Sequence, residues 1–275
     1  MTLLGVAMSF ATASSARAFC RSTTVPAPPG YDPSASGCWT EGRPLAWLWN
    51  EHISYSLASA ASREVDLADA TRIADLAFDS WNHAPCAGGP PNVVAVDDGP
   101  IDPTTVAAEC RSVPCDPGAP GPVHLIVFRD GDWMAQDPTD TLALTTVTYA
   151  TDSGIVFGAE IEINSHDHRL TTAEPPPPGT IDLRTILTHE AGHFLGLAHA
   201  TDVRSVMYAY YNPDSFKLTA DDIAGICAIY PPDPAIASCS ITADRKSSPA
   251  SALIGIVLFG ITSVVRRKIR GVTPR

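Results

Sequence analysis

Basic charge is scarce in this 275-residue chain, where 18 Lys and Arg face 30 Asp and Glu for a formal net charge of −12. A nucleic-acid surface needs clustered cations to neutralise phosphates, so the charge argues against nucleic acid as a partner. Also missing is an apolar run of the ~20 residues that a membrane-spanning helix normally requires. No internal repeat is present. What remains is a hydrophobic content of 45%, which is that of a folded chain rather than a disordered one. The length suits one or two domains with a sizeable core. The 25 prolines gather in connecting segments and leave the periodic ones clear.

Both ends read as targeting segments. Residues 1–18 of MTLLGVAMSFATASSARAFC are expected to be a signal peptide, with Ala16-Arg17-Ala18 as the cleavage site before Phe19, although the usual positive charge near the start is lacking. Residues 233–250 form a polar linker that contains Cys239. They lead into SALIGIVLFGITSVV (251–265) and then at once into RRKIR (266–270). A basic stop after an apolar run fits the positive-inside rule, so 251–270 is expected to be a membrane or sorting tail anchored by 251–265. Cysteine, spacer, apolar run and arginine cluster together resemble the C-terminal sorting tails of bacterial surface proteins, those of myxobacteria in particular. That resemblance implies the bacterial envelope or membrane as a partner, and it makes Cys239 a processing or lipidation point. A free thiol, or a partner to another cysteine, is the competing reading of Cys239.

The cysteines also favour export to an extracellular or cell-surface location. Cys20, Cys38, Cys86, Cys110, Cys115 and Cys227 make an even set compatible with three disulfides. Six cysteines allow fifteen pairings. Local pairs Cys20–Cys38 and Cys110–Cys115 would leave Cys86–Cys227.

Between the ends, residues 19–44 are rich in Pro, Gly and Ser and read as an irregular, cysteine-containing segment. HISYSLA (52–58) alternates like a strand, whereas 63–85 places Val65, Ala68, Ile73, Leu76, Ala77 and Trp81 at helical spacing. NVVAV (92–96) and VHLIVF (123–128) are short strands, and the turn TDSG joins TLALTTVTYA (141–150) to IVFGAEIEIN (155–164). Glu160 and Glu162 alternate along that last strand and are expected on its solvent face. Thr180 is the expected N-cap of a helix through IDLRTILTHEAGHFL. A last helix over 218–230 starts at Thr219 and stops at Pro231-Pro232. The reading is one α+β domain over residues 45–232.

The chemistry concentrates in THEAGHFLGLAH, 188–199. His189 and His193 are four residues apart and share one helix face, where two neutral imidazoles can hold one divalent metal. Gly196 breaks the helix and lets His199 return to the same point. Three nitrogens leave a tetrahedral zinc one open position, the arrangement of catalytic rather than structural zinc. Glu190 stands beside the first ligand, placed to take a proton from water. The full HExxHxxGxxH pattern arises by chance on the order of 10⁻⁴ times per chain of this length.

With this motif the chain resembles the metzincin metalloproteases. SVMYAYY (205–211) supplies Met207 eight residues after His199, the interval of the matrixin branch, in which a methionine turn lies beneath the metal. W..N.HISYSL, the helix ending in AFDSW, the strand AEIEIN and the closing FKLTADDIAGICAIY look like the corresponding parts of that catalytic domain, over about residues 45–230. The resemblance implies a twisted five-stranded mixed sheet with two long helices and a C-terminal helix, and a cleft across the zinc that takes an extended peptide as an extra strand. Several departures stand out. No PRCGxPD-like segment precedes the domain. Ala209 replaces the proline expected two residues after Met207 in the wall of the S1′ pocket, whereas Tyr211 matches the tyrosine four residues after it. No tyrosine follows Met207 by two, so no fifth ligand is expected. His166, Asp167 and His168 offer a second metal site, but a solvated loop is preferred. RDGDWMAQDPTD (129–140) offers oxygen ligands for Ca²⁺ without EF-hand spacing, and a plain acidic loop is preferred.

The expected function is a secreted or surface-attached zinc endopeptidase acting on polypeptides. His189, His193 and His199 hold the metal, Glu190 is the general base, and Met207 shapes the floor. Tyr211, Ala209 and Ala159 line the substrate, with Ala159 on the edge strand. The alternative is a zinc-binding surface or adhesion protein with little turnover.

Overall fold

The computed structural model describes residues 19–48, 52–105, 124–133, 140–213, 215–234 and 262–270. In chain order the elements are β1 (Cys20–Arg21), α1 (Pro33–Ser36), β2 (His52–Leu57), α2 (Leu67–Asn82), β3 (Val94–Asp97), β4 (Leu125–Phe128), β5 (Thr141–Ala150), β6 (Val156–Ile163), β7 (Leu170–Thr171), β8 (Ile181–Asp182), α3 (Leu183–Phe194), β9 (Leu197–Ala198), α4 (Ala220–Ile229) and β10 (Thr262–Arg270). Five of the strands form the expected mixed sheet in the order β3-β2-β4-β6-β5. The first four are parallel, and β5 returns antiparallel to β6 with Val147 opposite Ala159. The fold is α+β, of the metzincin type.

Helices α2 and α3 cover one face of this sheet. Asp66 caps α2 by accepting from the Asp69 N–H. The face α2 buries is Ala70, Ile73, Ala74, Ala77, Phe78 and Trp81, a helical stripe over three turns. Of the positions expected inward, Ala68 and Leu76 turn out to be exposed. The stripe lies one position around the helix, where Phe78 stacks on Tyr55 of β2 at 4.2 Å between ring centroids. On the opposite face of the sheet Ala58, Leu125 and Val127 form a small hydrophobic cluster.

Three local expectations change in the structure. Asp182, not Thr180, caps α3: its carboxylate accepts from the Arg184 and Thr185 N–H groups, while the Thr180 hydroxyl donates to Pro177 O. The short pairing of β7 with β8 holds the chain extended through Asp182 and so delays the helix. Glu162 is buried rather than solvated, because Arg129 reaches across from the end of β4 and donates to its carboxylate through Nε at 2.7 Å. Ala159 lies on β6, an inner strand of the sheet, and not on an edge.

Two disulfides clamp the periphery, Cys20–Cys38 and Cys86–Cys227. Both agree with the pairing that local partners leave, and Cys110, Cys115 and Cys239 lie outside the described residues. The first disulfide pins the N-terminal segment, whose β1 pairs with β9 (Cys20 opposite Ala198). The second ties the end of α2 to α4.

The signal-peptide reading of residues 1–18 and the run at 251–261 also fall outside the described residues. Thr262–Arg270, read from the sequence as the end of the anchor and its basic stop, is a strand antiparallel to β5, with Val265 opposite Val147. Among the described residues no helix is long and apolar enough to cross a membrane.

Candidate metal centre

Helix α3 is buried along almost its whole length, and the carbonyls it offers are met by aromatic donors. Trp81 Nε1 donates to Thr188 O and Trp47 Nε1 to Phe194 O, each at 2.8 Å. Tyr230 at the end of α4 donates its hydroxyl to Leu195 O. These bonds fix a polar helix in an apolar setting, where an unpaired carbonyl costs ~1–3 kcal/mol.

His189 and His193 project from one face of this helix, as their spacing requires. After Leu195 the chain turns at Gly196, whose φ of +96° belongs to the left-handed region. A Cβ there would also stand 2.7 Å from Leu45 O, so both conformation and space demand glycine. The turn is held from the N-terminal segment by Ser22, which donates its N–H to Gly196 O and its hydroxyl to Leu197 O. It delivers His199, so that one ligand atom from each of His189, His193 and His199 falls within 4.8 Å of the others. Among the described residues this is the only such group of metal-ligating side chains; His166, Asp167 and His168 do not form one. Asp130, in the acidic segment considered for Ca²⁺, accepts instead from the Arg63 N–H.

The donor chemistry fits zinc. His189 Nδ1 donates to Val206 O at 2.7 Å and His193 Nδ1 to Leu197 O at 2.9 Å, which leaves each Nε2 as a lone-pair donor facing its neighbours. The His189 Nε2 is buried with no hydrogen-bond partner among the described residues. Burial pushes the His189 pKa down to about 4, so the ring is neutral and ready to coordinate at neutral pH. His199 is half-buried, whereas His189 and His193 are buried.

Glu190 follows the first histidine and is fully buried on the sheet side of α3, where its carboxylate meets Thr145 of β5. Met207 packs its Sδ against Gly192, between the two histidines of α3. Its N–H and that of Val206 donate to Asp222 of α4, as does the hydroxyl of Ser205. Its own carbonyl accepts from the Ala200 N–H. The sequence reading placed Met207 here but missed what holds it. Asp222 was legible only as an acid in a first helical turn, and Thr145 only as a strand residue.

A tight contact joins the floor to the helix. A Cβ built on Gly192 lands on Met207 Sδ and 2.9 Å from Trp81 Cζ2. Alanine is the better helix former by ~1 kcal/mol. Gly192→Ala is nevertheless expected to destabilise by ~1–3 kcal/mol, the usual cost of overpacking a core. Chemical denaturation followed by fluorescence tests this, and a variant as stable as the parent refutes the contact.

Of the substrate-lining candidates, Tyr211 accepts from the Asp182 N–H at 2.9 Å and lines a cavity of ≈ 570 Å³ with Leu142, His168 and Thr180. Ala209 is half-buried on the same segment. Ala159 faces away from this role: its N–H donates to the buried His124 Nδ1, whose pKa burial lowers to about 4.

Residues 121–231 match the family model described as Matrixin. The chain is 36% identical over 113 residues to matrix metalloproteinase-20 of Homo sapiens, covering 39% of this chain and 22% of that protein. It is 41% identical over 69 residues to metalloendoproteinase 1-MMP of Arabidopsis thaliana, covering 24% and 19%. Matrilysin of Homo sapiens is 50% identical over 46 residues, covering 16% and 17%. The match thus spans about a fifth of the length of these relatives. Together the comparisons support a matrix metalloproteinase-type catalytic domain.

Proposed function

We propose that the chain is an exported zinc endopeptidase, secreted or held at the cell surface, that hydrolyses internal peptide bonds of polypeptides. The observation that carries the reading is the convergence of His189, His193 and His199 beside the buried carboxylate of Glu190. His189, His193 and His199 would hold the zinc. When bound, the ion supplies Lewis acidity, polarising a carbonyl and lowering the pKa of water toward ~7. The backbone carbonyls of Val206 and Leu197 hold the first two imidazoles in the correct tautomer and orientation. Glu190 takes the proton of the attacking water and delivers it to the leaving amine.

The substrate is read as an extended chain that adds a strand to the outer edge of β5. That edge is receptive to such pairing, since Thr262–Arg270 of the chain itself lies along it, and an entering peptide has to displace that strand. Tyr211 borders the side-chain pocket.

The test is zinc content together with cleavage of an unstructured protein such as casein. One zinc per chain, with cleavage abolished by 1,10-phenanthroline and restored by added zinc, is the expected result. Stoichiometric zinc without cleavage of any polypeptide would make the domain a binding module, and no zinc in the folded protein would overturn the metal centre itself.

A further inference from the structure

Thr145 has a side chain that packing alone does not explain. It lies mid-strand in β5 with no exposed surface, and its neighbours two residues away on the same face, Ala143 and Val147, belong to the apolar core. Val is the isostere this face would favour, and it has no hydroxyl to satisfy. The Thr145 Oγ1 is instead 2.5 Å from Glu190 Oε2, and 3.4 Å from the Glu190 backbone oxygen. A hydroxyl has a single proton, and an ionised carboxylate only accepts, so the proton goes to Oε2. At 2.5 Å the contact is a close O–H···O hydrogen bond. The β-branched side chain restricts χ1, so the donor is held in place before any substrate arrives.

We propose that Thr145 is a positioning residue for the base: its hydroxyl commits one oxygen of the Glu190 carboxylate to strand β5 and aims the other at the reacting water. This rests on the endopeptidase reading above. It also links the strand that pairs with substrate to the group that moves the proton, through one hydrogen bond. A carboxylate free to rotate about its last torsion would spend part of its time misaimed, and the loss would appear in the chemical step rather than in binding.

The experiment compares Thr145→Val, which keeps shape and removes the hydroxyl, with Thr145→Ser, which keeps the hydroxyl. Both are measured on the full chain, per mole of zinc-loaded folded protein. Thr145→Val is expected to lower kcat for peptide cleavage about 10-fold with KM unchanged, while Thr145→Ser stays within about 3-fold of the parent. A readout independent of turnover is calorimetric binding of two zinc-directed probes. Acetohydroxamate shares a proton with the base carboxylate, and its affinity is expected to fall in Thr145→Val and recover in Thr145→Ser. Dipicolinate binds through the metal alone, and its affinity is expected to stay the same. Equal losses in both variants would show that any change to the packing at this position matters, with or without the hydroxyl, and would overturn the proposal. So would parental kcat and hydroxamate affinity in Thr145→Val. If the parent chain binds zinc and hydroxamate yet cleaves nothing, the endopeptidase reading fails while the hydroxamate comparison still decides the role of Thr145.

Discussion

Glu190→Gln is expected to lower kcat for polypeptide cleavage by ~10²–10⁴-fold, the range that a positioned general base contributes. The amide has the shape of the carboxylate and can still accept from Thr145, so the buried space between α3 and β5 is filled as before. What it lacks is the ability to take a proton. The three imidazoles are untouched, and zinc content is expected to remain at the parental value because Glu190 stands outside the ligand group. Steady-state cleavage with metal analysis on the same preparation makes the comparison. Parental kcat in the variant would remove Glu190 from the mechanism, and loss of zinc would make it part of the metal's support instead.

Asp222→Ala is expected to cost ~3–5 kcal/mol of folding stability and to weaken zinc retention. The Asp222 side chain is buried and accepts from five donors: Ser205 Oγ at 2.5 Å, Val206 N at 3.0 Å, Met207 N at 3.3 Å, Thr219 N at 2.8 Å and Thr219 Oγ1 at 2.7 Å. Alanine removes that acceptor from all of them; the Met207 N–H keeps Ser205 Oγ at 3.0 Å, and each donor left stranded costs ~1–3 kcal/mol when water does not reach it. The effect passes to the metal because Val206, held by Asp222 through its N–H, presents its carbonyl to His189 Nδ1. Asp222→Asn, which retains one acceptor oxygen, is expected to fall between. Urea denaturation gives the stability, and zinc competition with a chromophoric chelator gives the affinity. Unchanged values in Asp222→Ala would mean that the methionine turn holds itself in place.

What the sequence made legible was whatever repeats at short range. The i, i+4 spacing of His189 and His193, the glycine before His199 and the interval to Met207 are all local, and the structure brings the three histidines together. Strand order is not local. β5 and β6 are adjacent in sequence and joined by residues 151–155, so either was able to serve as the edge until the parallel pairing of β6 with β4 was known. That is why Ala159 was assigned to an edge it does not occupy. Glu162 misled for a related reason: strand alternation shows which face a side chain takes, but not that Arg129 covers that face. The helix start slipped by two residues because Thr180 and Asp182 are both good caps, and the choice between them falls to the β7–β8 pairing. Thr145 and Asp222 were beyond reach altogether. Their partners lie 45 residues away at Glu190 and 15 to 17 away in the methionine turn, and neither separation has a periodic signature.

The Cys86–Cys227 disulfide closes a span of 141 residues, and that span contains the histidines, the glutamate, the methionine turn and every strand from β3 to β9. An endopeptidase, as proposed above, is open to surface cuts by its own copies. Here a single cut between Cys86 and Cys227 does not release a fragment. The two pieces stay joined through sulfur as well as through the shared core, and the nicked chain comes apart covalently only when it is also reduced.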